Sequence, residues 1–262
     1  MNGAGNDFIL IDNRNRAISL TPDQIVTLCD RHRGIGADGL FLLVPPVRNE
    51  ADWAWQFHNS DGSTADMCGN GARCFARFIQ RLTGVKDRTS FETGAGVISA
   101  TFDGALVSVN MTEPHSLRLR ENVSLRSGPV EVSSLNTGVP HAVLFLPADN
   151  NGMVQSVGSE IRYHTHFAPK GTNVNFVQLN GPNAIRVRTY ERGVEGETLA
   201  CGTGVTASAL ITSELRQFTS PVKVTVHGGD VLEVAWERTG TGFKNVTLKG
   251  PADFVFDGQI EI

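Results

Sequence analysis

The chain has 262 residues, 40% apolar and 19% charged, proportions that exclude a disordered polymer or a coiled coil and leave room for two compact domains or one large one. Lys and Arg total 23 against 27 for Asp and Glu, and the net charge of −4 provides no dominant basic surface for holding a nucleic acid. Apolar stretches such as 40–44 are strand-sized, far short of the roughly 18 residues a membrane span requires. The opening residues MNGAGN carry neither a charged n-region nor an apolar h-region. A cytoplasmic protein is therefore expected, with the cysteines at 29, 68, 74 and 201 reduced. No CxxC or Cys/His spacing indicates a metal site.

Taken in chain order, the sequence predicts a strand at 8–12 and a helix over 22–31, with Thr21 as N-cap and Pro22 at the first helical position. Strands follow at 40–44 and 53–57. From Gly69 to Thr83, the apolar residues Ala72, Phe75, Ala76, Ile79 and Leu82 recur with helical period, and Arg73, Arg77, Gln80 and Arg81 fall largely on the opposite face. Gly84 marks its end. Further strands are predicted at 96–102, 105–111, 142–146, 173–179 and 184–190. A helix over 202–217 is apolar on most sides and therefore buried. The last strands are expected at 222–227, 230–236, 243–249 and 253–256. Short connections between β-branched and aromatic runs favour antiparallel hairpins over βαβ crossovers.

An internal repeat relates the two halves. Gly5 lies 63 residues before Cys68 and Gly138 lies 63 before Cys201; Thr93 follows the first cysteine by 25 residues and His227 the second by 26. Each half thus reads as strands, Cys-Gly-x-Gly, a buried helix, then strands.

Met67-Cys68-Gly69-Asn70-Gly71 and Ala200-Cys201-Gly202-Thr203-Gly204 each open one of the two strong helices. Free N–H groups and the helix dipole favour an anion there, and glycine lets the backbone approach it closely. The same field favours the thiolate, fitting Cys68 and Cys201 for proton transfer or nucleophilic attack. Cys29 and Cys74 lie inside helical patterns and read as packing residues. Two cysteines from equivalent halves suggest a pseudo-twofold site at the domain interface, one sulfur on each side of a bound carbon. Such a pair, one thiolate and one thiol, can invert a stereocentre. None of the five lysines stands in a recognisable pyridoxal motif, so the carbanion must be stabilised electrostatically by the helix starts.

The segments GAGNDF at 3–8, FHNSDGSTADMCGNGARC at 57–74, PH at 140–141, NVNF at 173–176 and YERGVEGETLACGTG at 190–204 resemble the diaminopimelate epimerase family over essentially the whole chain. Racemases of the proline racemase type also pair two cysteines, but their first motif usually reads MCGHG. The resemblance implies cofactor-independent interconversion of LL- and meso-diaminopimelate, in lysine and peptidoglycan-precursor biosynthesis. It implies an α+β fold of two pseudo-symmetric domains, each a mostly antiparallel β layer or barrel wrapped around a central helix. The halves would be 1–113, joined by a C-terminal strand at 251–262, and 114–250.

Carried over by position, Cys68 and Cys201 would be the acid/bases. Gly69, Asn70, Gly202 and Thr203 would present N–H groups to the reacting carboxylate. Asn6, Asn59, Asn175, Glu191 and Arg192 would bind the substrate, chiefly its distal end, and His141 and Glu191 would tune the thiol pKa values. No cofactor or metal is implied; the partner is the small-molecule substrate, with no nucleic acid and no membrane, and a homodimer is left open. The chain departs from the family pattern at its short first strand, at Val139 where many members have Asn, at Gly39 where some have Gln, and in a 193–197 stretch one residue longer than in some members. Alternatives are a racemase or isomerase of the same superfamily acting on another amino acid, and a redox-responsive binding protein in which the two cysteines form a disulfide.

Overall fold

The computed structural model describes residues 1–146, 151–240 and 242–261. It divides into two compact units, Met1–Asn110 with the stretch from Gly250 onward, and Met111–Lys249.

In the first unit the order is β1 (Asn2–Gly3), β2 (Asn6–Asp12), α1 (Pro22–Cys29), β3 (Gly39–Val44), β4 (Trp53–Asn59), α2 (Gly69–Thr83), β5 (Arg88–Thr93), β6 (Gly96–Asp103) and β7 (Leu106–Asn110), with the strands adjacent in that sequence. Thr21 and Gln24 form a reciprocal capping box at the start of α1, with Pro22 at the first position. Helix α2 is touched by β1, β2, β3, β5, β6 and β7, so strands surround it. Phe41 centres the core: its ring stacks on Phe57 at 4.2 Å and meets Trp55 at 5.0 Å, Phe8 at 5.2 Å and Phe75 at 5.7 Å.

The second unit runs β8 (His115–Leu125), β9 (Gly128–Asn136), β10 (Pro140–Phe145), α3 (Asn151–Arg162), β11 (Asn173–Leu179), β12 (Ala184–Glu191), β13 (Gly196–Thr198), α4 (Gly202–Arg216), β14 (Val222–Thr225), β15 (Val231–Arg238) and β16 (Phe243–Pro251). Helix α4 is buried from Gly204 to Ser213 and is touched by β9, β10, β11, β12, β14 and β15. The α+β architecture, mostly antiparallel and built around a central helix in each unit, is the expected one.

Four features differ from the sequence reading. First, each unit contains two parallel pairs, β2 with β3 and β4 with β5, then β10 with β11 and β12 with β14. A helix spans each of these four connections, and a parallel pair needs such a crossover. Secondly, β5, β8, β9 and α3 fall where no element was expected. β8 is an edge strand whose first residues are exposed, with register breaks and positive φ at Ser116 and Arg120, so no alternation marks it. α3 carries two helix-weakening glycines, yet buries Val154 and Ile161 against the unit-2 core.

Thirdly, Arg73 is fully buried instead of facing solvent. Strands cover that side of α2, and the guanidinium is satisfied by Gly69 O, Asn70 Oδ1 and Pro251 O at 3.1–3.3 Å. Fourthly, among the described residues the expected C-terminal strand at 251–262 is not a strand beyond Pro251. Asn2 and Asp253 form one isolated bridge, because β1 offers only two residues to pair with. Side chains hold the rest: Arg81 lies 4.5 Å over the Phe254 ring and bonds Asp257 at 2.6 Å.

Glu92 in β5 anchors the turn after β3, accepting from the N–H groups of Val47, Arg48 and Glu50 at 2.8–3.0 Å. Desolvation pushes its pKa up, but those donors and the Arg48 charge outweigh it and hold the carboxyl below the ordinary glutamate range. A depressed carboxyl contributes stability that is full above its unfolded pKa of about 4.3 and is lost as pH falls through the folded value. Glu92→Gln should therefore lower the thermal midpoint at neutral pH, with the gap to wild type narrowing as pH falls below the ordinary glutamate range. A gap that stays constant across that range would contradict this role.

Candidate active site

Both motif cysteines occupy N-caps. Cys68 precedes α2 with extended backbone, φ −147° and ψ 116°, and its sulfur accepts from Gly71 N at 3.3 Å. The α2 ladder begins with Ala72 N bonding Cys68 O at 2.8 Å, so the N–H groups of Gly69 and Asn70 lie outside it. The Cys68 thiol also reaches Asn6 Oδ1 at 3.7 Å. Asn6 is held by Asp38, whose carboxylate can only accept, so Nδ2 faces Asp38 and Oδ1 is left for the sulfur. Arg31 in turn bridges Asp38 at 2.8 Å and Asp7 at 2.7 Å.

Cys201 precedes α4, φ −121° and ψ 107°, but its side chain makes no capping bond; the sulfur lies 3.5 Å from Thr203 Oγ1. Val205 N bonds Cys201 O at 2.9 Å, so Gly202 and Thr203 N–H lie outside that ladder too. Thr137 Oγ1 donates to Thr203 O at 2.9 Å and pins the first turn. The other two thiols differ: burial pushes Cys29 up to about 11 and Cys74 up to about 12, so both stay protonated at neutral pH.

Around α4, His141 is the second residue of β10 and is 1% exposed, with Nδ1 3.1 Å from Asn175 Nδ2. Burial, with the Arg192 charge adding, pushes its pKa down to about 3, so it carries no charge at neutral pH and can act on a thiol only through its dipole. Glu191 Oε2 accepts from Thr198 Oγ1 at 2.9 Å. Arg192 N donates to Asn173 Oδ1 at 2.9 Å, and Asn173 Nδ2 to Pro140 O at 3.1 Å, which ties the ER segment to the PH segment. The hairpin of β12 and β13 absorbs the longer 193–197 stretch, with Gly193 and Glu195 at positive φ in its turn. Asn59 ends β4 and donates to Ser63 Oγ at 3.0 Å, closing the turn before the Cys68 motif.

The model of the family described as diaminopimelate epimerase matches residues 1–117 and 133–255. The chain belongs to the diaminopimelate epimerase family. Relatives bearing that name include those of Aquifex aeolicus (strain VF5), 42% identical over 99% of this chain and 96% of the relative, and Hydrogenobaculum sp. (strain Y04AAS1), 41% identical over 98% and 96%. That of Chlorobaculum tepidum is 41% identical over the full length of both. Among solved structures, a Bacillus anthracis phenazine biosynthesis protein of the PhzF family superimposes with TM-score 0.74 at 12% identity, covering 100% of this chain and 95% of that one. A probable proline racemase from Agrobacterium radiobacter K84 gives 0.69 at 18% identity, covering 91% and 80%. Both likenesses concern the fold alone.

Within this family member, Asn6, Cys68, Gly69 and Asn70 gather at the start of α2, and His141, Asn175, Glu191, Arg192, Cys201, Gly202 and Thr203 lie on the elements around the start of α4. Sequence reasoning missed Asp38, Thr137, Asn173 and Thr198, which orient those groups. Strand alternation was an available signal for Asn173, since residues 173 and 175 share one face of β11.

Proposed function

We propose that Cys68 and Cys201 are the acid/base pair of a cofactor-independent epimerase interconverting LL- and meso-2,6-diaminopimelate. The observation that carries this reading is the pair of extended N-cap cysteines on two buried helices, at equivalent places in two units of like topology. Residues 1–113 with 251–262, and 114–250, each supply one thiol. One thiolate takes the α-proton and becomes a thiol; the electron pair moves onto the carboxylate as an enediolate. The opposite thiol returns a proton to the other face and becomes the thiolate, ready for the reverse turnover. First-turn N–H groups of Gly69, Asn70, Gly202 and Thr203 favour the growing negative charge. Glu191 and Arg192 fit the distal ammonium and carboxylate, and Asn6 and Asn59 complete the contacts.

The chemistry needs both thiols reduced, which fits a cytoplasmic enzyme of lysine and peptidoglycan-precursor biosynthesis. A homodimer is part of this reading: Val255, Phe256 and Ile260 present apolar surface in the C-terminal stretch. Neither nucleic acid nor a membrane has a role in it.

Incubating the reduced protein with LL-diaminopimelate in deuterated water should yield meso product carrying deuterium at one α-carbon. No product and no exchange would reject the substrate; exchange with another amino acid alone would favour a different racemase. Tight binding without exchange after full reduction would support the redox-responsive binding protein instead.

A further inference from the structure

The interior of the second unit contains a polar network that the two-thiol reaction does not explain. Asn175, His141 and Thr189 are 0%, 1% and 3% exposed and lie on the adjacent strands β11, β10 and β12. Asn175 Nδ2 donates to the backbone carbonyl of Ala142 at 3.0 Å. A carbonyl oxygen only accepts, so the amide orientation is fixed. Thr189 Oγ1 completes it by donating to Asn175 Oδ1 at 2.9 Å. The second Nδ2 proton points at His141 Nδ1, 3.1 Å away, which makes Nδ1 an acceptor and puts the ring proton on Nε2. Turning the ring over would set a carbon against that N–H and lose the bond.

Nε2 is itself buried, with no partner among the described residues. An orphaned buried donor costs roughly 1–3 kcal/mol, so it marks a place where something else accepts. The His141 ring lies against the first turn of α4: a Cβ built on Gly204 would sit 3.3 Å from His141 Cε1 and 2.2 Å from Asn175 Oδ1. The second glycine of the Cys201 motif is thus the residue type that leaves room for the Asn175 amide. Arg192 is near enough for its charge to act on the imidazole.

We infer that Asn175 is a positioning residue, not a substrate contact: it locks His141 as the Nε2–H tautomer, an uncharged donor to the substrate carboxylate held at the start of α4. Both N–H groups of the Asn175 amide are committed inside the protein and Thr189 already donates to its Oδ1, so the amide has no donor left for the carboxylates of diaminopimelate. The inference rests on the proposed epimerase reading for the identity of the acceptor, but not for the tautomer. Because the donor is neutral, it can strengthen its bond as charge grows on the carboxylate without giving up its proton.

Nitrogen-15 NMR of the histidine-labelled, reduced protein tests this, with the His141 signal assigned by its loss in His141→Gln. At neutral pH, Nε2 should be protonated and Nδ1 bare. In Asn175→Asp an acceptor faces Nδ1 and the proton should move there. Proton exchange into diaminopimelate should then fall roughly 10²-fold in kcat, with KM within about threefold, as when one oxyanion donor is lost. Thr189→Val should weaken the lock in the same direction, and Thr189→Ser should restore it. A protonated Nδ1 in the wild type would overturn the inference, as would Asn175→Asp raising KM at unchanged kcat. If Asn175→Asp does not fold, the wild-type spectrum and the Thr189 pair decide. The expected tautomer in a protein that exchanges no α-proton would leave the lock standing and reject the epimerase.

Discussion

Cys68→Ala and Cys201→Ala should each lower epimerisation by about 10³-fold or more, whereas Cys29→Ala and Cys74→Ala leave it within about threefold. The contrast follows from where each sulfur sits. Cys68 and Cys201 stand outside their helices, beside N–H groups that no helical carbonyl takes, and such a position favours the charged form. Cys29 and Cys74 are enclosed by apolar and backbone atoms that disfavour it, with pKa values pushed up to about 11 and about 12. Stability should show the reverse order. Removing Cys74, which is fully buried and 3.0 Å from a Cβ built on Gly3, costs about 1 kcal/mol of packing. Steady-state rates and urea unfolding on the same four variants check both halves of the statement. Comparable losses from all four substitutions would show that the thiols matter for folding alone.

The single-cysteine variants also separate two-base from one-base chemistry. With one base, removing the second cysteine would leave inversion largely intact. With two, each variant lacks either the group that takes the proton or the group that returns one, and net inversion stops in both directions. Asymmetry between the two sites is already visible: the Cys68 sulfur caps Gly71 N and reaches Asn6, while the Cys201 sulfur caps nothing and lies near the Thr203 hydroxyl.

What the sequence made legible is what local chemistry controls. The α2 bounds at Gly69 and Thr83 follow from a glycine-rich start, helical apolar spacing and Gly84, which takes the left-handed φ of 74° at the C-cap. The matched cysteine spacings agree with the repeated element order of the two units, but the parallel pairs within it were not expected. The edge strand β8 escaped because its exposed first half has no buried face to impose alternation. The burial of Arg73 escaped for a different reason: periodicity reports one apolar stripe, but a helix surrounded by strands has no solvent face, and the polar residue is accommodated by oxygens of its own first turn and by the distant Pro251 carbonyl. At the site, motif positions named candidate residues but not what their side chains touch. Asn175 and Asn173 sit two apart on one strand; which of them has polar atoms to spare depends on Ala142, Thr189 and His141, none of which is near in sequence.

Phe41→Ala should lower the stability of the first unit by about 3–5 kcal/mol, and the loss should couple to Gly71. Phe41 is fully buried, stacks on Phe57 and touches Phe8, Trp55 and Phe75, so its removal opens a cavity in the middle of the aromatic core. The same ring supports the start of α2: a Cβ at Gly71 would lie 2.4 Å from Phe41 Cζ, closer than real side-chain carbons approach. Gly71→Ala in the wild-type core must therefore displace either the ring or the first turn that carries Cys68. In the Phe41→Ala background the methyl enters the space the ring has left, and the same substitution should cost much less. A double-mutant cycle by urea denaturation should return a coupling energy of roughly 1–3 kcal/mol in the favourable direction. Additive losses within about 0.5 kcal/mol would mean that Gly71 is required by something other than the nearness of Phe41. Retention of Cys68 reactivity toward a thiol reagent in the double variant, and its loss in Gly71→Ala alone, would tie the packing of this one ring to the geometry of the thiol.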